Sequence, residues 1–103
     1  MTKGELVIHF GDVFIHRFRG DRSTYVILGL GQEDWFYAAQ VMKIDGKEAL
    51  GLPGTSEKDS VERMIGRWNL ARITNAINNN FGATERVLRI LEENEKSPPR
   101  KIR

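Results

Sequence analysis

Between residues 4 and 52, apolar positions come in short bursts rich in β-branched and aromatic side chains, cut every few residues by Gly or Asp. That rhythm belongs to short strands joined by tight turns. It predicts strands at roughly 5–10, 12–18, 24–30, 35–44 and 48–52. Asp45-Gly46 tolerates the positive φ angles of a two-residue hairpin, and Arg19-Gly20-Asp21-Arg22 suits a four-residue connection. Gly11, alone between two apolar runs, marks a separator or a bend within one curved strand. In the second strand Phe14, His16 and Phe18 share one face, and Val13, Ile15 and Arg17 the other. In the long strand Trp35, Tyr37, Ala39 and Val41 alternate with Phe36, Ala38, Gln40, Met42 and Ile44. Both faces are largely apolar, so the sheet must be covered twice, by curling on itself and by receiving a helix or another subunit.

After Leu52 the pattern changes. Pro53-Gly54 is a stop, Thr55, Ser56 and Glu57 offer caps, and Val61, Met64, Ile65 and Trp68 recur at three- and four-residue spacing. That spacing predicts an amphipathic helix, weakened by Gly66. A further helical segment over 70–78 carries Ile73 and Ile77, residues 78–82 form a turn, and a last helix over 83–96 turns Val87, Leu88 and Leu91 inward. Residues 97–103 read as a basic, proline-stiffened flexible tail. The expected fold is α+β: a curved antiparallel β-meander or SH3-like partial barrel of four or five strands, followed by two or three covering α-helices. Residues 1–96 form the single domain and 97–103 the tail.

A length of 103 residues suits one domain with a thin stability margin, which makes a homodimer a reasonable expectation. The absence of cysteine excludes disulfides, thiolate metal sites and thiol nucleophiles. The first apolar run, residues 6–10, is too short for a signal-peptide core or a membrane span, so a cytoplasmic location with no membrane contact is the default expectation. His9 and His16 are the only histidines and have no metal-ligand spacing. No metal or cofactor is expected. His9 beside Asp12 is a conceivable acid–base pair without a nucleophile. The serines at 23, 56 and 60 lack a nucleophile motif, and the short glycine-bearing loops lack phosphate-loop spacing. Hydrolase, kinase and dehydrogenase readings therefore want for parts, and binding is favoured over catalysis.

Charge adds one more hint. Residues 1–56 hold six Lys and Arg against seven Asp and Glu, whereas 57–103 hold ten against seven. Arg17, Arg19 and Arg22 cluster at one hairpin, where they suit phosphates, and Trp35 and Tyr37 (with Phe36) are candidate base stackers. Arg63 and Arg67 lie one helical turn apart on the expected helix. Residues 70–93 have the outline of a helix-turn-helix bearing Arg86 and Arg89, though Glu85, Glu92 and Glu93 oppose a phosphate backbone. These features point to a small noncatalytic binding or regulatory module that contacts nucleic acid or a host protein through the arginine-bearing hairpin and the helical face. The alternative from another class is a protein-only adaptor or inhibitor acting as a dimer.

The strand opening Gly11-Asp12-Val13-Phe14, the charged hairpin, the run Tyr25-Val26-Ile27-Leu28 and the C-terminal helix together resemble, over at most half the chain, the small barrel of the MazF and PemK ribonuclease toxins. The resemblance implies an endoribonuclease in which Arg17, Arg19 or Arg22 stabilises a cyclising phosphate and His16 serves as acid or base. The chain departs from the family where Arg22-Ser23 replaces an Arg-Pro pair and where residues 35–44 lack the expected Thr or Ser.

Overall fold

The computed structural model describes residues 5–102. Tight turns build the centre of the sheet. Strands β2 (Asp12–Phe18), β3 (Asp21–Gly29), β4 (Trp35–Ile44) and β5 (Lys47–Leu50) pair antiparallel in chain order. Asp45 and Gly46 take φ of 52° and 77°, the left-handed pair a two-residue hairpin needs. Arg19 and Gly20 do the same at 50° and 86°. The first hairpin therefore turns on two residues rather than the expected four, and Asp21 and Arg22 join the ladder opposite Phe18 and Arg17.

The far edge of β4 is shared. β5 pairs along Val41–Ile44, and β6 (Gly54–Glu57) pairs along Trp35–Ala38. The break between them falls at Pro53, which has no N–H to donate. A 3₁₀ turn, Lys58–Ser60, then leads to β7 (Val61–Arg67), which pairs with β2 at the opposite edge. In a flat sheet β6 and β7 would stand about 19 Å apart at about 4.8 Å per strand. A three-residue 3₁₀ turn rises only about 6 Å, so the sheet must curl. The curl stops short of a closed barrel, since β6 and β7 share no ladder among the described residues.

The helix expected around Val61 to Trp68 is therefore mostly this strand, and Arg63 and Arg67 sit on a sheet edge. The reason lies in the register of β7 against β2, which shifts twice and leaves Ile65 and Glu62 without a partner. Each bulge adds a residue. Val61 and Met64, opposite His16 and Phe14, thus reach one core three residues apart instead of two. A strand with two bulges reproduces helical spacing.

Two helices follow as expected. Asn69 caps α1 (Leu70–Asn78) by accepting the Arg72 N–H, and Thr84 caps α2 (Glu85–Glu95) by accepting that of Val87. Ile73, Ala76, Ile77 and Leu91 pack on Val13, Val26, Leu28, Ala39 and Leu50, which share one face of the sheet. The other face carries Phe14, Ile27, Phe36 and Ala38. It is covered by β1 (Leu6–Ile8) and β8 (Arg100–Ile102), which pair with each other outside the main sheet.

The end of the chain thus departs from the free tail expected of it. Ile102 is fully buried beside Ile8, and Arg100 Nη1 donates to the carbonyls of Leu30 at 2.6 Å and Trp35 at 2.8 Å. Gly11 turns the chain out of β1 with φ +83°, and a Cβ there would stand 2.2 Å from the Trp68 carbonyl oxygen. It is a turn at a close backbone crossing, separating two strands rather than bending one. Neither helix is long and apolar enough to cross a membrane.

Candidate nucleic-acid interface

Strand register decides which arginines meet. Arg17 stands opposite Arg22, and Ile15 stands between Thr24 on β3 and Arg63 on β7. All share the face of Val13 and Val26, the face the helices cover further along. The helices leave its outer half open as a depression of about 370 Å³ that includes Val13, Thr24, Val41 and Ile65, with Arg67 and Arg72 at its margin. The ladder from β2 to β7 ends at His16, and that from β3 to β4 ends at Tyr25. Beyond those points Arg17 to Thr24 form a two-stranded ribbon.

Three cations on this surface are matched. Arg22 Nε lies 2.8 Å from Glu62, and Arg67 Nε lies 2.8 Å from the buried Asp12. Arg72 grips Glu48 with two bonds, of 2.6 and 3.0 Å, and its guanidinium lies 4.1 Å over the Trp68 ring. The Arg72 hydrogen bond holds the Glu48 carboxyl below the usual carboxylate range, against a smaller opposing effect of desolvation. Arg17 and Arg63 make no hydrogen bond or ion pair among the described residues. Like charges directly opposite one another in a ladder are destabilising; Glu62 offsets this at Arg22, and Arg17 and Arg63 are the guanidiniums left to take an external anion.

The residues singled out from sequence divide accordingly. Arg17, Arg22 and Arg63 come together across three neighbouring strands, and Arg67 lies beside them, committed to Asp12. Arg19 sits at the hairpin tip with its guanidinium 5.2 Å over Phe18. Trp35 and Tyr37 do not join them. They meet edge-to-face at 5.0 Å at the other end of β4, where Tyr37 pairs with Gly29. Gly29 is seven residues along β3 from Arg22, about 23 Å at strand rise. Tyr37 instead lines an apolar groove of about 410 Å³ with Leu28, Val87, Ile90 and Leu91.

The aromatic groups near the arginines are Trp68, under Arg72, and the set of Phe18, His16 and Tyr25. Alternation in β2 already placed Phe18 with His16, but the cross-strand contact with Tyr25 follows only from pairing. His16 stacks on Tyr25 at 4.3 Å and 26°, and burial pushes its imidazole below the ordinary histidine value. Neighbours along a strand point to opposite faces. His16 and Arg17 therefore do not converge as the ribonuclease resemblance requires. Asp12 accepts the His9 backbone N–H and the Arg67 Nε, both at 2.8 Å, leaving His9 Nδ1 at 3.6 Å. That carboxylate staples a turn to a strand. Among the described residues no group of His, Asp or Glu is gathered to hold a metal ion.

No family model, curated protein or solved structure matches this chain.

Proposed function

We propose that this domain is a noncatalytic nucleic-acid-binding module that takes phosphates on the open half of its helix-bearing face. One observation carries the reading: strand register puts Arg63, Arg17 and Arg22 on one face of three adjacent strands, and two of the three have no carboxylate partner among the described residues. Around them Lys43, Arg67 and Arg72 raise the local cationic side chains to six, against the carboxylates of Asp12, Glu48 and Glu62. The strand order, the curl and the 3₁₀ turn before the returning strand support an SH3-like partial barrel as its frame.

The test is fluorescence anisotropy with labelled RNA and DNA over a range of salt concentrations. If Arg17, Arg63 and Lys43 each neutralise one phosphate of a single strand, log affinity against log salt has a slope of about −2, moving to about −0.7 in Arg17→Ala/Arg63→Ala. Between about 50 and 200 mM salt the wild type then weakens about twentyfold and the double variant about threefold. A slope unaffected by the two substitutions, or no binding at low salt, removes the reading.

The groove beside α2 favours a second reading, a protein-binding adaptor. Tyr37 and Ile90 on its lining are 43% and 47% exposed. A partner held there stays bound at high salt, because apolar burial is not screened.

A further inference from the structure

The ribbon has a second face. Register turns Arg17 and Arg22 toward the helix side, so His16, Phe18 and Tyr25 face the other way. Tyr25 lies 6.0 Å from Phe14, which is fully buried and edge-on to Phe36 at 5.7 Å, so the His16–Tyr25 stack rests on a packed aromatic base. Phe18, two residues beyond His16, is 59% exposed. Beside the stack is a depression of about 260 Å³, lined in part by Gln40, Gly54 and Thr55. The side chains of Gln40 and Thr55 make no hydrogen bond among the described residues. Nothing stands within 4 Å of where a Gly54 Cβ would be, so a ligand can approach the backbone there.

We propose that this aromatic face holds an unpaired nucleobase, and that the ligand of the domain is therefore single-stranded nucleic acid, its base on the His16–Phe18–Tyr25 side and its phosphates on the arginine side. The proposal rests on the reading of the arginine face as a phosphate site. The depression falls just below the roughly 300–1,000 Å³ of pockets for drug-sized ligands, which suits one planar ring system. A ring seated in the depression lies against the His16–Tyr25 stack, with the exposed Phe18 ring two residues further along the same strand face. The Gln40 amide offers both a donor and an acceptor, and the Thr55 hydroxyl does likewise, the groups that read a base edge.

Burial pushes the His16 imidazole below its ordinary value, which favours the neutral ring with one donor and one acceptor nitrogen as the stacking partner. The ribbon is one strand spacing wide, about 4.8 Å, and a flexible backbone passes from one face to the other around Arg19 and Gly20. A duplex keeps its bases paired and stacked and leaves the ring site empty.

Two measurements on the full chain separate this site from the phosphate reading. The first titrates uridine and adenosine, which carry no phosphate, into isotope-labelled protein and follows the amide resonances. Shifts are expected at His16, Phe18, Tyr25, Gln40 and Thr55, and none at Arg63. The second compares a short labelled RNA with an abasic strand of the same length and charge. The wild type should prefer the base-bearing strand by about tenfold. Phe18→Ala, which removes an exposed ring, and Gln40→Ala should erode that preference while leaving abasic binding and its salt slope unchanged.

Equal binding of the two strands with a steep salt slope overturns the base site and leaves the phosphate reading standing. Nucleoside shifts at those residues with salt-independent strand binding support the base site and remove the phosphate reading. Tighter binding of duplex than of single strand overturns the base site, as does the absence of nucleoside shifts.

Discussion

Replacing Ile102 by Ala tests whether the end of the chain is part of the fold. Ile102 is fully buried and belongs to the core formed by Ile8, Phe14, Ile27, Leu30 and Phe36. Truncating a buried Ile loses the transfer free energy of its methyl groups and leaves a cavity, together about 2–5 kcal/mol. A domain of this size holds about 5–15 kcal/mol in all, so the loss is a large share of its stability. At about 4–8 °C for each kcal/mol, the melting temperature should fall by roughly 10 °C or more. Lys101→Ala is the internal control. Lys101 is exposed, and its pair with Glu5 at 3.4 Å is a surface contact of about 0–1 kcal/mol. Urea unfolding followed by circular dichroism measures both, and the dependence on urea should keep its slope. If Ile102→Ala unfolds at the same urea concentration as Lys101→Ala, the strand pairing of the tail is refuted, and Arg100 and Lys101 become free to act as a binding arm.

Two further outcomes follow from the site. Glu62 neutralises Arg22 at 2.8 Å, so Glu62→Ala should release a third unpaired guanidinium, tighten RNA binding severalfold at low salt and steepen the salt slope by about 0.7; anisotropy titrations showing unchanged affinity and slope would place Arg22 outside the interface. His16, lowered by burial, binds a proton less readily in the folded than in the unfolded chain. Its contribution to stability is therefore fully present above the ordinary value of about 6.5 and is lost as pH falls from there through the lowered one. Urea midpoints measured above and below that window should separate more in wild type than in His16→Gln, and equal separations would contradict the shift.

What local chemistry dictates was legible in the chain. Asp45-Gly46 turns where it should because left-handed φ is a property of those two residues. The two helices, expected over 70–78 and 83–96 and found at Leu70–Asn78 and Glu85–Glu95, follow from apolar positions at helical spacing within one segment. Val13 and Phe14, apolar neighbours on opposite faces, correctly imply a sheet covered on both sides. The four-residue hairpin at 19–22, the helix around Val61–Trp68 and the free tail went the other way, each for a reason outside its own segment. Pairing of Phe18 with Asp21 shortened the turn. Two bulges against β2 gave the strand helical spacing, and pairing with β1 carried Ile102 into the core that holds Ile8 and Phe14.

The candidate site divides along the same line. The sequence by itself determined that Arg17, Arg19 and Arg22 share a hairpin and that Phe18 and His16 share a strand face, since both depend on residues close in the chain. Only the tertiary structure decided that Arg63 joins them, that Trp35 and Tyr37 stand at the far end of the sheet, and that Tyr25 lies under His16. Those relations are set by strand order and register, which are chosen by the burial of both faces at once. No single segment carries that information.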